Sequence, residues 1–150
     1  MRRPAVLVDR DGTLASVDGP ADRAGNDVWE DYNNRIRFDP IVPLIGGLWN
    51  AIRPGIDKIV VSGRDGAFEW AMRDWFHKYN LVPDAFFMRT PNDRRKDSIV
   101  KAEILDTLIL PRWDVLFVID DRPQVCDFWR SRGIPLLQVT DPKILAPIGG

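Results

Sequence analysis

Five short runs of Val, Ile, Leu and Phe recur along the chain, at Ala5–Val8, Lys58–Val61, Ala85–Met88, Val115–Ile119 and Pro135–Val139. Each is nearly continuously apolar and read as a buried strand. Between them apolar residues fall at helical spacing: Phe68, Ala71, Met72, Trp75 and Tyr79, then Ile104, Leu105 and Leu108, then Val125, Phe128 and Trp129. These stripes belong to the core and not to a cofactor box. Strands alternating with helices predict an α/β fold, a three-layer Rossmann-like parallel sheet of about five strands. In that architecture functional groups gather at the carboxyl ends of the strands. With 150 residues, 45% of them hydrophobic, a single domain spanning 1–150 has enough apolar mass for one substantial core.

Two segments depart from this rhythm. Ala15 to Phe38 is polar, carries Gly19, Pro20, Gly25, Asn33 and Asn34, and has no sustained period, so it reads as a loop or flap over the end of the first strand. Asp39-Pro40 reads as a helix start, with Asp39 as the cap and Pro40 in the first turn, in a helix weakened by Pro43 and Gly46-Gly47.

Composition narrows the function classes. A net charge of −1 removes the global positive field of a free-standing nucleic-acid binder, so any polynucleotide contact must come from a local patch such as Arg89, Arg94 and Arg95. An ordinary solvated surface accounts for the same residues. One cysteine, Cys126, excludes an internal disulfide and a cysteine-rich zinc site and points to a reducing compartment; among Val125, Phe128 and Trp129 it reads as packing. The one histidine, His77, cannot build a His-based metal site, and its neighbours Lys78 and Arg73 put it on a solvent face. No apolar run has membrane-spanning length and no signal-peptide core follows Met1-Arg2-Arg3, so a cytoplasmic protein with no membrane partner is expected.

The chemistry sits at strand ends. Val6-Leu7-Val8-Asp9-Arg10-Asp11-Gly12 places two carboxylates two residues apart behind an apolar strand, with Gly12 free to bend the backbone. An Asp-x-Asp-Gly turn is the bland alternative. A calcium loop lacks its further oxygen ligands. Like charges this close call for a hard divalent cation, with Mg²⁺ as the default. Val60-Val61-Ser62-Gly63-Arg64 runs a strand into a Gly turn that joins a hydroxyl, backbone amides and a guanidinium into a phosphate cradle. Val115-Leu116-Phe117-Val118-Ile119-Asp120-Asp121 ends an apolar strand in adjacent carboxylates that need a metal or a lysine nearby. Lys101 shares the i, i+3, i+4, i+7 stripe of Ile104, Leu105 and Leu108, and Asp97 lies one turn ahead, placed to pair with it; Lys96 precedes the helix. Taken alone, Lys101 reads better as a snorkelling surface lysine.

Taken in order, Asp-x-Asp-Gly-Thr, Ser-Gly-Arg, Lys and Asp-Asp resemble the four-motif signature of the haloacid dehalogenase superfamily. Ser62-Gly63-Arg64, the run from Arg89 to Lys101, and Ile119 to Val125 with Trp129-Arg130 further resemble the phosphatase domain of phage polynucleotide kinase-phosphatases, over about residues 5–140. That resemblance implies removal of a 3'-phosphate from DNA or RNA ends before ligation, on a fold with a minimal cap. It implies Asp9 as nucleophile, Asp11 as proton donor and acceptor, and Mg²⁺ held by Asp9, the backbone carbonyl of Asp11 and Asp121, with Asp120 behind. Thr13, Ser62, Gly63, Arg64, Asp97 and Lys101 would serve the phosphate, and Arg89 and Arg23 the nucleotide. Two departures stand out: Arg10 replaces a common apolar residue, and the family's flap arginine has only Arg23 as a weak match. The family's kinase P-loop motif is absent from this sequence, so a separately encoded kinase or ligase is the implied partner.

About thirty residues separate Arg64 from Lys96, too few for a cap domain beside a helix and a strand. An uncapped site suits a polynucleotide end or a phosphoprotein over a small metabolite that must be enclosed. The alternatives are a nucleotidase or other small-molecule phosphomonoesterase on the same chemistry, and a binding scaffold, which would call for loss of Asp11.

Overall fold

In the computed structural model residues 1–17, 33, 35–140 and 144 are described. The first strand, β1 (Arg3–Val8), buries both faces: Val6 and Val8 enter one core, Ala5 and Leu7 the other. Successive side chains on a strand point to opposite sides, so this sequence demands a helical layer above and below. In β2 (Asp57–Asp65), Val60 joins the first core while Ile59 and Val61 join the second. With β3 (Ala85–Arg89), β4 (Trp113–Asp120) and β5 (Leu136–Gln138) they form a five-stranded parallel sheet in the order β3-β2-β1-β4-β5. The chain steps outward from β1 to β3 and then crosses back to β4, so connections part above β1 and β4. Doubly wound sheets open their ligand crevice at such a point.

Helices α1 (Pro43–Ala51) and α2 (Glu69–Lys78) cover the first face with Ile45, Trp49, Met72, Trp75 and Phe76. The second face is covered by α3 (Asp97–Ile104) and α4 (Pro123–Ser131), through Val100, Ile104, Val125 and Trp129. Cys126 is fully buried, as its apolar neighbours implied, and burial pushes its thiol up to about 12. His77 is exposed on α2. No helix among the described residues is long and apolar enough to cross a membrane.

Three local expectations are corrected. The Ser62-Gly63-Arg64 turn is strand: β2 continues to Asp65, and its register with β3 jumps between Ser62 and Asp65, so Gly63 and Arg64 form a bulge. The expected helix start at Asp39-Pro40 falls instead at Pro43, because Ile41 bridges to Ala15 and the Val42 N–H donates to Leu14 O (2.7 Å), keeping the backbone extended. Pro43 then opens α1, where its missing N–H has no intrahelical partner to lose. Leu108 leaves the core stripe because a π-helical turn, Leu105–Ile109, follows α3; it inserts one residue, so Leu108 is exposed and Ile109 buried. Of the expected flap, Arg35–Phe38 forms a short helical turn, while Arg23 lies outside the described residues.

Candidate active site

β1 and β4 end side by side, held there by the Asp9 N–H donating to Ile119 O at 3.0 Å. That bond brings the carboxylates of Asp9, Asp120 and Asp121 together, with one ligand oxygen from each within 4.8 Å of the others. Lys101 reaches them from α3. Its side chain is 3% exposed, and its ammonium donates to Asp9 Oδ1 at 2.9 Å and Asp120 Oδ2 at 3.0 Å. Asp120 is further filled by Trp129 Nε1 on Oδ2 (3.0 Å) and the Asp121 N–H on Oδ1 (2.8 Å). Asp121 meets Thr13 Oγ1 at 3.3 Å and lines the cavity. Gly12, at φ +77°, is required twice here: its backbone is left-handed, and a Cβ would occupy the space of the Asp121 carboxylate.

Charge is unbalanced at this centre. Burial first, and then repulsion from Asp120, push the Asp9 carboxyl well above the usual range against the pull of Lys101. Asp121 is raised as well, chiefly by burial. Burial would lower the Lys101 ammonium, but Asp9 and Asp120 outweigh it and hold it above its ordinary value. Three carboxylates against one ammonium, with oxygens converging on one point, fit a hard divalent cation.

Asp11 sits in a different field. Arg64 Nε donates to its Oδ2 at 2.6 Å and Arg10 to its Oδ1 at 2.7 Å. Burial works against its charge, yet Arg64 and then Arg10 prevail and hold its carboxyl below the usual range. Arg10 is itself fully buried; it also donates to Asp39 Oδ2 (2.9 Å) and Ile36 O (2.8 Å) and lies 4.4 Å over the Trp75 ring. Asp39, expected as a helix cap, is thus a partner of this buried arginine.

A third cluster corrects the expected Asp97–Lys101 pair. Asp97 opens α3 and gives its carboxylate to Arg89 and Arg122. Gly63 makes room for it, since a Cβ there would lie 2.6 Å from Asp97 Oδ1. Arg89, expected on the nucleotide, is used by its own loop: it also donates to Gly63 O (2.7 Å), Asp93 O (3.0 Å) and Arg95 O (2.5 Å).

All three clusters line one cavity of about 650 Å³. Of the residues expected from sequence, Asp9, Asp11, Gly63, Arg64, Arg89, Asp97, Lys101, Asp120 and Asp121 meet there. Thr13 and Ser62 are buried against it, the Ser62 oxygen accepting the Arg64 N–H at 3.2 Å. Arg10, Asp39, Asn33, Trp129 and Arg122 are additions. Asn33, whose Oδ1 accepts from Arg64 at 3.2 Å, carried no sequence signal. Arg122 could have been found as the residue directly after Asp120-Asp121, and Trp129 as the core-stripe residue with a ring N–H to satisfy.

Comparison with known proteins agrees with this geometry. The chain matches a family model of the polynucleotide kinase PNKP phosphatase domain over residues 3–143. It is 33% identical over 138 residues to a protein of Autographa californica nuclear polyhedrosis virus named as a bifunctional polynucleotide kinase/RNA ligase, a match covering 87% of this chain and 18% of that protein. A chain in the solved structure of the Pnkp1/Rnl/Hen1 RNA repair complex superposes with a TM-score of 0.80 at 31% identity, over 92% of this chain and 42% of that one. A haloacid dehalogenase-like hydrolase from Streptococcus pneumoniae shares the fold, with a TM-score of 0.66 at 17% identity, over 95% of this chain and 89% of that one.

Proposed function

We infer the function from one premise: this chain belongs to the family of polynucleotide kinase PNKP phosphatase domains and is a phosphomonoester hydrolase of the haloacid dehalogenase type. On our reading residues 1–150 act as a single domain whose substrate is the 3'-phosphate of a polynucleotide end. Two relatives above 30% identity carry RNA ligase and RNA repair in their names, which supports RNA end repair alongside a kinase and a ligase. The observation that carries the reading is Lys101 bridging Asp9 and Asp120 beside an open cavity, with only α2, β3 and short turns between Arg64 and Lys96.

Asp9 attacks phosphorus in line and forms an aspartyl-phosphate while the 3'-oxygen departs. Lys101 keeps two of its three N–H donors on Asp9 and Asp120, leaving one for a phosphoryl oxygen. Asp120, filled by Lys101, Trp129 and the Asp121 N–H, acts by fixing that ammonium. Arg64 is shared: an entering phosphate competes with Asp11 for its guanidinium. As Arg64 turns to the phosphate its hold on Asp11 weakens, and Asp11 gains the proton affinity to take up a proton from solvent, pass it to the departing 3'-oxygen, and then accept one from the attacking water. Asp9 and Asp121 would hold Mg²⁺, with the Asp11 carbonyl as the further ligand that the family resemblance implies, and the ion would supply the positive charge that lets an anionic nucleophile meet an anionic ester.

The test is phosphate release from matched oligonucleotides bearing a 3'- or a 5'-phosphate. Rapid release from the 3'-end alone, abolished by EDTA and restored by Mg²⁺, is expected. Equal release from both ends, or faster release from nucleoside monophosphates, replaces this reading with a nucleotidase.

A further inference from the structure

Four arginines of this chain line the cavity beyond Arg64, and three of them are committed to the protein. Arg89 is spread over Gly63, Asp93, Arg95 and Asp97. Arg95 pairs with Asp93 at 2.7 Å and Glu103 at 2.8 Å. Arg122 pairs with Asp97. The fourth, Arg94, is exposed and makes no hydrogen bond or ion pair among the described residues.

The loop that presents Arg94 is pinned on either side of it. The carbonyls of Asp93 and Arg95 both accept from Arg89. The Arg95 N–H donates to Asp93 Oδ1 at 3.0 Å, and the Asn92 N–H donates to Asp65 Oδ2 at 3.1 Å, with Asn92 held at φ +66°. At Gly66 a Cβ would stand 2.6 Å from Arg89 O, so the neighbouring strand end is packed directly onto this loop. A fixed backbone thus carries a guanidinium, unpaired among the described residues, at the cavity that the carboxylate cluster also lines. Among the described residues such a cation has no hydrogen-bonding or ion-pair partner, and its bidentate fork matches a phosphate.

We propose that Arg94 binds the second phosphate of the substrate strand, the internucleotide diester next to the terminal 3'-monoester. This rests on the 3'-phosphatase reading and deepens it, because it makes Arg94 the residue that separates a polynucleotide end from a mononucleotide. Arg95 and Arg122, already neutralised by Asp93, Glu103 and Asp97, shape the wall around it.

The experiment compares wild type and Arg94→Gln on three substrates: a nucleoside 3'-monophosphate, a dinucleotide 3'-phosphate, and the same dinucleotide with a neutral methylphosphonate linkage. The wild type should prefer the charged dinucleotide. Arg94→Gln should lower the kcat/KM ratio of charged dinucleotide to mononucleotide about tenfold, through KM with kcat retained, and Arg94→Lys should recover part of it. The methylphosphonate should make the wild type behave like the variant. A nucleoside 3',5'-bisphosphate as responsive as the dinucleotide would reassign the contact to a terminal monoester and overturn the diester assignment. Equal losses on all three substrates, or none, overturn the proposal and leave the 3'-phosphatase reading standing. A wild type that hydrolyses an aryl phosphate but no 3'-phosphate removes that reading, and the proposal with it.

Discussion

At position 101 a buried ammonium faces two carboxylates, and the consequences of removing it are asymmetric. Lys101→Ala leaves Asp9 and Asp120 without a counter-charge and the phosphoryl group without a donor, so kcat/KM should fall by the equivalent of about 2–4 kcal/mol. Lys96→Ala, at an exposed position just before α3, should change it less than about threefold. Steady-state kinetics of both variants decides between them, and a larger loss at Lys96 would reverse the assignment. Asp11→Asn should slow nucleotide substrates more than aryl phosphates, since an easily leaving phenolate needs little help from an acid; matched rates on the two substrate types measure this. These residues were legible because each follows an apolar strand or shares a core stripe. Arg10 was visible only as an oddity between two aspartates. Its meaning depends on Asp39, which reaches it from 29 residues away, and on Trp75 beneath it, and no local pattern reports such convergence.

Elements carry two further tests. The bulge at the end of β2 brings Gly63 against Asp97, so Gly63→Ala should displace that carboxylate and loosen Arg89 and Arg122. A carboxylate at the end of a side chain moves at small cost to the fold; the expected result is a loss of about tenfold or more in kcat/KM with a small change in Tm. At the opposite end of the sheet Asp57, at the start of β2, accepts from Arg3 of β1 at 2.8 and 2.7 Å and from Trp113 of β4 at 2.8 Å, tying the three central strands together. The Arg3 hydrogen bond leads in holding the Asp57 carboxyl below its usual range. A depressed carboxyl contributes stability that is fully present above its unfolded value, about 4, and is lost as pH falls through the folded one. Asp57→Asn should therefore lower Tm at neutral pH and flatten its decline below about pH 4, as thermal melts across pH would show. Sequence located each of the five strands among the described residues because runs of Val, Ile and Phe are hard to bury otherwise. It misplaced the start of α1 and the fate of Leu108, which were decided by a bridge from Ile41 to Ala15 and by a π-turn, both tertiary choices.

On the scale of the whole molecule, alternation announced a parallel sheet between two helical layers, while the order β3-β2-β1-β4-β5 had no signature of its own. That order matters because it seats the Asp9 strand beside the Asp120 strand and opens the crevice above both. The same arrangement loads three carboxylates into one buried corner, so Mg²⁺ should raise Tm as well as activity, and EDTA should reverse both; calorimetry with and without the ion reads this without relying on turnover. The central claim is that this corner takes the phosphoryl group of a 3'-end onto Asp9. The most direct test is acid quenching of the enzyme during turnover of an oligonucleotide radiolabelled on its terminal 3'-phosphate, followed by mapping of the protein-bound label. The account predicts label on the peptide containing Asp9, none with Asp9→Asn, and none from a 5'-labelled strand. Turnover without protein-bound label, label on another residue, or equal labelling from the 5'-end would contradict it.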